Sequence, residues 1–364
     1  MNIPKSWKSH WQTFAMAGAL LVIWMIFYFT TDGNFLSSRN LSILMRQMSV
    51  TSILAVGMVL VIVAGQIDLS VGAMTGLLGA VSAMLFVNYG WPLWASFLAA
   101  LLLGSLLGYL QGRMVTGFEI PPFIVTLGGM LIFQGVLLGI TRGVAISPSP
   151  DFLYVGQAYL PKIVGWISWG VVVILFMIFG GKGQAGFSWK RPILLLLCGG
   201  FVALMNDYEG IPFPVVLMLL FTAIFAIVSQ HTPFGRHLYA IGGNREAAFY
   251  SGINIEQRII MVFTLMGFLS GVAGIVLTAR IGAASSDAGG TMALDAIAAA
   301  VIGGTSFAGG IGTIPGAILG AVVMQSLQSG MVLLRVDSPI QDIVVGIVLV
   351  AAVGTDAALR RRAR

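Results

Sequence analysis

Apolar runs alternate with short polar segments along almost the whole chain. Twelve of these runs reach or approach the roughly 20 residues that cross a bilayer as a helix. They predict spans at about 14–30, 43–64, 72–87, 92–111, 122–141, 163–180, 192–206, 212–229, 259–279, 293–304, 311–329 and 338–354. The pattern therefore predicts an all-α polytopic membrane protein with about 12 transmembrane helices in a single transmembrane domain, 1–364. Short or broken helices are expected near 65–73 and 293–312, where glycine and polar residues interrupt the apolar pattern.

A polar island at residues 231–258 separates the eighth and ninth runs. Most connections in compact domains are short, so a connection of this length needs a reason. Its middle predicts a short helix in which Asn244 is the N-cap, Glu246 lies in the first turn and Gly252 follows the end. Two interpretations remain open: a helix that docks to another protein, and a solvated loop that contains one helical turn.

Composition excludes a soluble globular domain. The chain is 58% hydrophobic and 9% charged, whereas soluble domains average about 25% charged residues. The one cysteine, Cys198, lies within an apolar run and cannot form an internal disulfide. The first run resembles a signal peptide, but no small-residue cleavage site follows it, so we expect a retained first span. Paired glycines such as Gly104 with Gly108, and Gly316 with Gly320, predict close helix packing.

Basic residues predict the orientation in the membrane, because cytoplasmic loops carry an excess of lysine and arginine. Twelve spans place both termini on one side, and most of the 19 basic residues fall there. The predicted inside group is Lys5, Lys8, Arg113, Lys182, Lys190, Arg191, Arg236, Arg245, Arg258, Arg360, Arg361, Arg362 and Arg364. The predicted outside group is Arg39, Arg142, Lys162, Arg280 and Arg335, with Arg46 inside a span. We therefore expect cytoplasmic termini and a cytoplasmic polar island.

Polar residues at or within spans are the candidates for a translocation pathway, because such residues are costly in a membrane. Asp68 lies in GQIDLSVGA between two spans, where it has either a functional role or a capping role together with Ser70. Asp295 precedes a glycine-interrupted stretch that is typical of the discontinuous helices lining transport pathways. The candidate pathway residues are Gln66, Asp68, Ser70, Gln134, Asp295 and Thr305. Weaker candidates are Gln325, Gln341 and Asp342.

Several catalytic motifs are absent from the sequence. It has no GxxxxGK[ST] phosphate loop, no HExxH, no CxxC and no convincing nucleophile–base pair. We therefore expect no enzyme activity, no metal site, no resident cofactor and no partnership with nucleic acid. An ion-coupled secondary transporter, with Asp68 or Asp295 as its proton site, is a function that these residues leave open.

Four stretches together resemble the membrane-spanning permease subunits of bacterial sugar ABC importers, the ribose, galactose and xylose group. They are GQIDLSVGA (65–73), PPFIVTLGGMLIFQGVLLGITRG (121–143), FGRHLYAIGGNREAAFYSGIN (234–254) and ALDAIAAAVIGGTSFAGGIGTIPGAILGA (293–321). Within that family, the opening FTTDGNFLSSRN, an added hydrophobic pair at 163–206 and NDYEGIP (206–212) resemble the members that carry D-xylose. Removing the added pair leaves ten spans, the family's usual number.

The resemblance implies a function and a set of partners. The chain would be the permease of an ATP-driven importer of a monosaccharide, with D-xylose as the expected sugar, in a bacterial inner membrane. It would work as a homodimer by alternating access, together with a cassette ATPase that hydrolyses the ATP and a periplasmic sugar-binding protein. The cytoplasmic coupling loop 231–258 would carry a coupling helix at about 241–254 that contacts the ATPase. The implied coupling residues are Gly243, Asn244, Arg245, Glu246, Ala247, Ala248, Ser251 and Gly252.

Overall fold

The computed structural model describes residues 5–179 and 190–361, and within those ranges the protein is helical with no β-strand. Its helices are α1 Lys5–Thr30, α2 Ser38–Val63, α3 Val71–Val87, α4 Leu93–Gly117, α5 Pro122–Thr141, α6 Pro150–Gln157, α7 Lys162–Phe179, α8 Lys190–Asp207, α9 Phe213–His231, α10 Pro233–Gly243, α11 Arg245–Tyr250, α12 Ile255–Ile281, α13 Met292–Ile302, α14 Ile314–Leu333 and α15 Ser338–Arg361. The predicted inside residues Lys182, Arg362 and Arg364, and the middle of the 163–206 pair, lie outside the described residues.

All twelve predicted runs coincide with a helix, which confirms the helical fold class. In the described ranges, six helices are long and apolar enough to cross a membrane: α2, α4, α5, α9, α12 and α14. Shorter apolar helices account for most of the remaining runs, among them α3 and α13. The two expected interruptions are present, since residues 64–70 separate α2 from α3 and residues 303–313 separate α13 from α14.

Two helices, α2 and α12, form the centre of the bundle. In α2, 83% of the most apolar window is buried, and in α12 the share is 72%. The corresponding share is 22% in α4 and 28% in both α5 and α9, so these helices surround the centre and expose apolar side chains. Each central helix begins at one end of the bundle and finishes at the other, so it can connect events at the two ends.

Glycines bring α4 against α12 at backbone distance. A Cβ added at Gly267 would overlap the carbonyl oxygen of Gly104, and one added at Gly108 would overlap that of Phe263. The same holds where α14 meets α13, because a Cβ at Gly320 would overlap the carbonyl oxygen of Ala299. These contacts confirm the close packing expected from small residues spaced four apart.

We expect Gly108→Ala to destabilise the protein measurably. The added methyl group would force α4 and α12 apart, and overpacking of this kind typically costs about 1–3 kcal/mol. The matched control is Gly135→Ala on α5, where an added Cβ meets nothing within 4 Å. Thermal unfolding in detergent tests this: a lower midpoint for the Gly108 variant alone is expected, and equal midpoints would contradict the packing account.

Two short helices were missed by the sequence analysis. The connection between the predicted spans 122–141 and 163–180 contains α6, and the polar island contains α10 ahead of the predicted helix. Both begin with proline at the first helical position, Pro150 and Pro233, which is a start signal that the apolar pattern hides. Helix α3 begins at Val71, one residue before the predicted span 72–87.

Candidate coupling surface and glycine junction

Helix α11 forms as the sequence predicts. The side chain of Asn244 accepts a hydrogen bond from the backbone N–H of Ala247 at 2.9 Å, which is the N-cap geometry. The helix ends at Tyr250, and Gly252 follows with φ +80°, a left-handed conformation that glycine adopts without strain. The result is a six-residue helix with a capping hydrogen bond at its start and a left-handed glycine after its end.

The predicted coupling residues lie on the surface, with one exception. Gly243, Asn244, Arg245, Glu246, Ala247, Ser251 and Gly252 are exposed, whereas Ala248 is buried. The buried face of Ala248 holds α11 against the bundle, and the opposite face is free to meet another protein.

An aromatic pair next to these residues was not among the candidates. The side chains of Phe249 and Tyr250 are 66% and 81% exposed, with ring centroids 5.8 Å apart. Large aromatic side chains exposed together are typical of interaction sites. The sequence does show this pair, since two adjacent aromatic residues follow two alanines within a polar segment that contributes little to a hydrophobic core.

The aromatic pair borders a groove of about 520 Å³. The groove is lined by Thr116, Arg245, Glu246, Phe249, Tyr250, Ile255 and Glu256. Its floor is the end of α4 and the beginning of α12, which an ion pair joins across 2.6 Å between Arg113 and Glu256. Both of these side chains are about half exposed, so the pair orients the two helix ends more than it stabilises them. The groove therefore lies on the central helix α12 and offers both charge and apolar area.

Helix α10 connects this surface to the interior. Thr232 caps its first turn by accepting a hydrogen bond from the N–H of Gly235 at 3.3 Å, and Leu238 and Ile241 are buried beneath it. Its last turn reaches the end of α2. A Cβ added at Gly242 would overlap the carbonyl oxygen of Val63 and lie 2.6 Å from the backbone nitrogen of Gly310.

Three chain segments thus meet at glycine backbone, and we call this contact the glycine junction: Val63, Gly242, Gly309 and Gly310. The N–H of Gly310 donates to the carbonyl oxygen of Val63 at 2.9 Å. Gly309 and Gly310 have φ values of +81° and +72°, and a Cβ at Gly310 would lie 2.8 Å from the Cα of Gly243. The junction joins the polar island directly to both interrupted stretches, 64–70 and 303–313.

A tyrosine reinforces the same contact. The hydroxyl of Tyr239 on α10 donates to the carbonyl oxygen of Gly312 at 2.7 Å. Burial raises the pKa of the Tyr239 phenol above its ordinary value, so the group remains a protonated donor at neutral pH. Helix α10 therefore contacts residues 303–313 through a side-chain hydrogen bond as well as through the backbone.

Asp68 is 1% exposed and is held by its own turn. Its Oδ1 accepts from the N–H of Ser70 at 2.9 Å and from the Ser70 hydroxyl at 2.6 Å. Gln111 of α4 in turn donates to the Ser70 hydroxyl at 2.9 Å. These bonds form a turn within residues 68–70 ahead of α3, whose N-cap residue is Ser70 and whose first turn has no side-chain capping hydrogen bond.

The other pathway candidates do not share one site. Gln66 is buried beside this turn and donates to the carbonyl oxygen of Ala64 at 3.3 Å. Thr305 is buried in the stretch after α13, and Gln134 is half-buried on α5, which packs mainly on α3. Asp295 lies in the half of the bundle away from α10 and α11, where Gln328 donates to it at 3.3 Å. The structure therefore brings Gln66, Asp68 and Ser70 together and separates Gln134 and Asp295 from them.

Comparison with known proteins finds similar proteins along almost the whole chain. A family profile described as the permease component of branched-chain amino acid transport systems matches residues 40–353. The xylose transport system permease protein of Escherichia coli K12 is 44% identical over 96% of this chain and 93% of its own length. The corresponding protein of Haemophilus influenzae is 42% identical over 96% and 97%. The ribose import permease of Escherichia coli K12 is 36% identical over 93% and 91%. No solved structure matches the chain.

Proposed function

The chain belongs to the permease-component family of branched-chain amino acid transport systems, and we propose that it is the membrane-spanning subunit of an ATP-driven importer of D-xylose. The sugar follows from the two xylose permeases, which are more similar to this chain than the ribose permease is. ATP is bound and hydrolysed by a separate cassette ATPase, and a periplasmic sugar-binding protein delivers the sugar. The ion-coupled alternative is not favoured, because the relatives are permease components of transport systems.

The surface formed by α11 and its groove is the observation that carries this proposal. An ATPase has to grip the permease, and α11 offers an exposed charged edge in Arg245 and Glu246 beside the aromatic pair. The coupling residues proposed from the sequence surround that pair. A helix docked there transmits motion because Ala248 and the start of α12 hold it to the bundle.

The glycine junction supplies the next step of the mechanism. When the two ATPases close on ATP, α10 and α11 move together, and Gly242 shifts against Val63 and Gly310. The C-terminal end of α2 and the N-terminal end of α14 then move, because the first precedes the interrupted stretch 64–70 and the second follows the stretch 303–313. Alternating access results, since the spans change which end of the cavity is open. Gln66, Asp68, Ser70 and Thr305 take part by holding these stretches, and Gln134 lies on an outer wall of the pathway.

We propose the arrangement of the whole assembly on the same basis. The chain has twelve spans in a bacterial inner membrane, with both termini and residues 231–258 in the cytoplasm, and two copies form the importer. Helices α7 and α8 are an added pair beside a ten-helix core. They pack on one another, as the Trp169 indole donates to the carbonyl oxygen of Leu195 at 3.1 Å.

Transport by inside-out and right-side-out membrane vesicles tests the function. The chain is co-expressed with the cassette ATPase and the sugar-binding protein of its importer, and uptake of labelled xylose, ribose and galactose is compared with and without ATP. ATP-dependent uptake with xylose preferred is the expected result. Uptake that persists without ATP, or that collapses when a proton gradient is dissipated, would contradict the proposal.

A further inference from the structure

A second cavity opens at the surface of the bundle, in the half away from α10 and α11, and two of its lining residues, Val332 and Asp342, are exposed. It has a volume of about 250 Å³ and lies among α2, the end of α12, α13, α14 and α15. Its lining is Gln47, Thr51, Arg280, Met292, Asp295, Gln325, Gln328, Val332, Gln341, Asp342 and Val345. At about 30 Å³ for each water molecule, this space holds roughly eight waters, which is comparable to one small polar molecule.

The polar groups of this cavity are held by hydrogen bonds but have donor and acceptor positions that the protein leaves unfilled. Asp295 is 8% exposed, and its two oxygens accept long hydrogen bonds from Gln328 at 3.3 Å and from Thr291 at 3.4 Å. Gln325, also 8% exposed, donates to the side-chain oxygen of Gln47 at 3.0 Å. The buried Nε of Arg280 has no hydrogen-bond partner among the described residues. Buried polar groups normally find partners, so an unfilled donor beside a cavity indicates a ligand or water there.

The mixture of groups selects the kind of ligand. Carboxylates only accept hydrogen bonds, a guanidinium only donates them, and amides do both, so together they suit a neutral molecule whose hydroxyls donate and accept. An anion would face the carboxylates of Asp295 and Asp342 as well as the guanidinium of Arg280. A metal ion is not favoured, because no group of three or more His, Cys, Asp and Glu that could hold one occurs in residues 5–179 and 190–361.

We propose that this cavity receives the monosaccharide during transport, a proposal that rests on the function proposed above. Asp295 and Arg280 contact the sugar hydroxyls, and Gln325 orients the ring. No aromatic ring lines the cavity among the described residues, so a sugar lacks a stacking surface and is held weakly, as release requires. Helix α13 carries Asp295 at one end and leads at the other into residues 303–310, so the cavity is connected to the glycine junction by one helix.

Filling the cavity tests the proposal. Val345→Trp on α15 places a large ring in the cavity, and the matched control is Ile343→Trp on the same helix, where the side chain is 60% exposed. Purified complexes with ATPase and binding protein are reconstituted, and both sugar uptake and ATP hydrolysis are measured. We expect the Val345 variant to lose sugar uptake roughly tenfold while it retains ATP hydrolysis, because a filled pocket excludes its ligand. Equal uptake by both variants would overturn the proposal.

A second measurement covers the case in which the tryptophan variant fails to assemble. Gln328→Cys is made in a Cys198→Ala background, and the rate of labelling by a small thiol reagent is measured in the full complex. D-xylose is expected to slow labelling at least severalfold, whereas betaine at equal osmolality should have no effect. Labelling that xylose leaves unchanged would overturn the cavity assignment.

Failure of this inference is distinguishable from failure of the proposed function. The wild-type complex tests the function, because it either imports xylose with ATP or does not. The Val345 and Gln328 variants test only the route, since they are interpreted against a wild type that transports. Sugar import with no protection at Gln328 would keep the function and reject the cavity.

Discussion

Phe249→Asp on α11 is expected to abolish ATP-driven sugar uptake while leaving the protein folded and inserted. Phe249 is 66% exposed, so its loss removes little packing within this chain. In the proposed assembly it fills part of the ATPase interface, where truncation of an aromatic anchor typically costs 2 kcal/mol or more, or roughly 30-fold in affinity. A buried carboxylate without a partner adds to that cost. Pull-down of the ATPase by the tagged permease, followed by vesicle uptake, measures both effects.

The matched control for this prediction is Phe29→Asp. Phe29 is 75% exposed at the end of α1, at the opposite end of the bundle from α11, so it should leave ATPase binding unchanged. An ATPase that still co-purifies with the Phe249 variant, or that is lost equally from the Phe29 variant, would reject α11 as the docking element. Glu246→Lys is a milder test at the same surface. It is expected to weaken ATPase binding by an amount that depends on the salt concentration.

Gly242→Ala is expected to uncouple ATP hydrolysis from transport or to prevent assembly of the bundle end. The new methyl group would overlap the carbonyl oxygen of Val63 and approach the backbone of Gly310, and neither is a flexible side chain that can rotate away. The junction has to open, which breaks the hydrogen bond between Gly310 and Val63. We expect uptake to fall about tenfold or more, as overpacking costs about 1–3 kcal/mol.

Gly128 on α5 makes a matched control away from the docking surface. A Cβ added at Gly128 meets nothing within 4 Å, so Gly128→Ala should transport normally. Size-exclusion chromatography and ATPase pull-down separate misfolding from uncoupling in the Gly242 variant. Normal uptake by that variant would show that the junction does not transmit the ATPase motion.

Local features of the fold could be predicted from the sequence because their causes are local. The cap of α11 depends on Asn244 and Gly252, which lie within one segment, and the glycine interruption after α13 is visible in the residue types. Helix α10 was missed, since its start depends on Thr232 and Pro233 next to an apolar run that already predicted a span. The apolar pattern of that run concealed the start signal of α10.

The position of each helix in the bundle could not be predicted. Helices α2 and α4 have almost equal mean hydropathies of 1.8 and 1.9, yet 83% of the first window and 22% of the second are buried. Lipid tails are as apolar as a protein interior, so hydropathy does not separate a central helix from a lipid-facing one. This is also why the cavity could not be seen: Asp295, Gln325, Gln341 and Asp342 come from three helices that meet only in the folded bundle.

Only part of the candidate coupling surface was predicted, because the remainder forms between helices that meet in the folded bundle. Charge and glycine indicated residues 243–252, but the groove needs Thr116 from the end of α4 and Ile255 from the start of α12. These contacts join residues more than a hundred positions apart, which no spacing rule connects.

Reconstitution of the purified chain in vesicles tests the central claim most directly, that this protein is moved by an ATPase that it does not contain. Uptake of labelled xylose is measured with the chain alone, and again after the ATPase, ATP and the sugar-loaded binding protein are added. The account predicts no accumulation against a gradient by the chain alone, and accumulation once the ATPase and ATP are present. Uphill accumulation by the chain alone would contradict it.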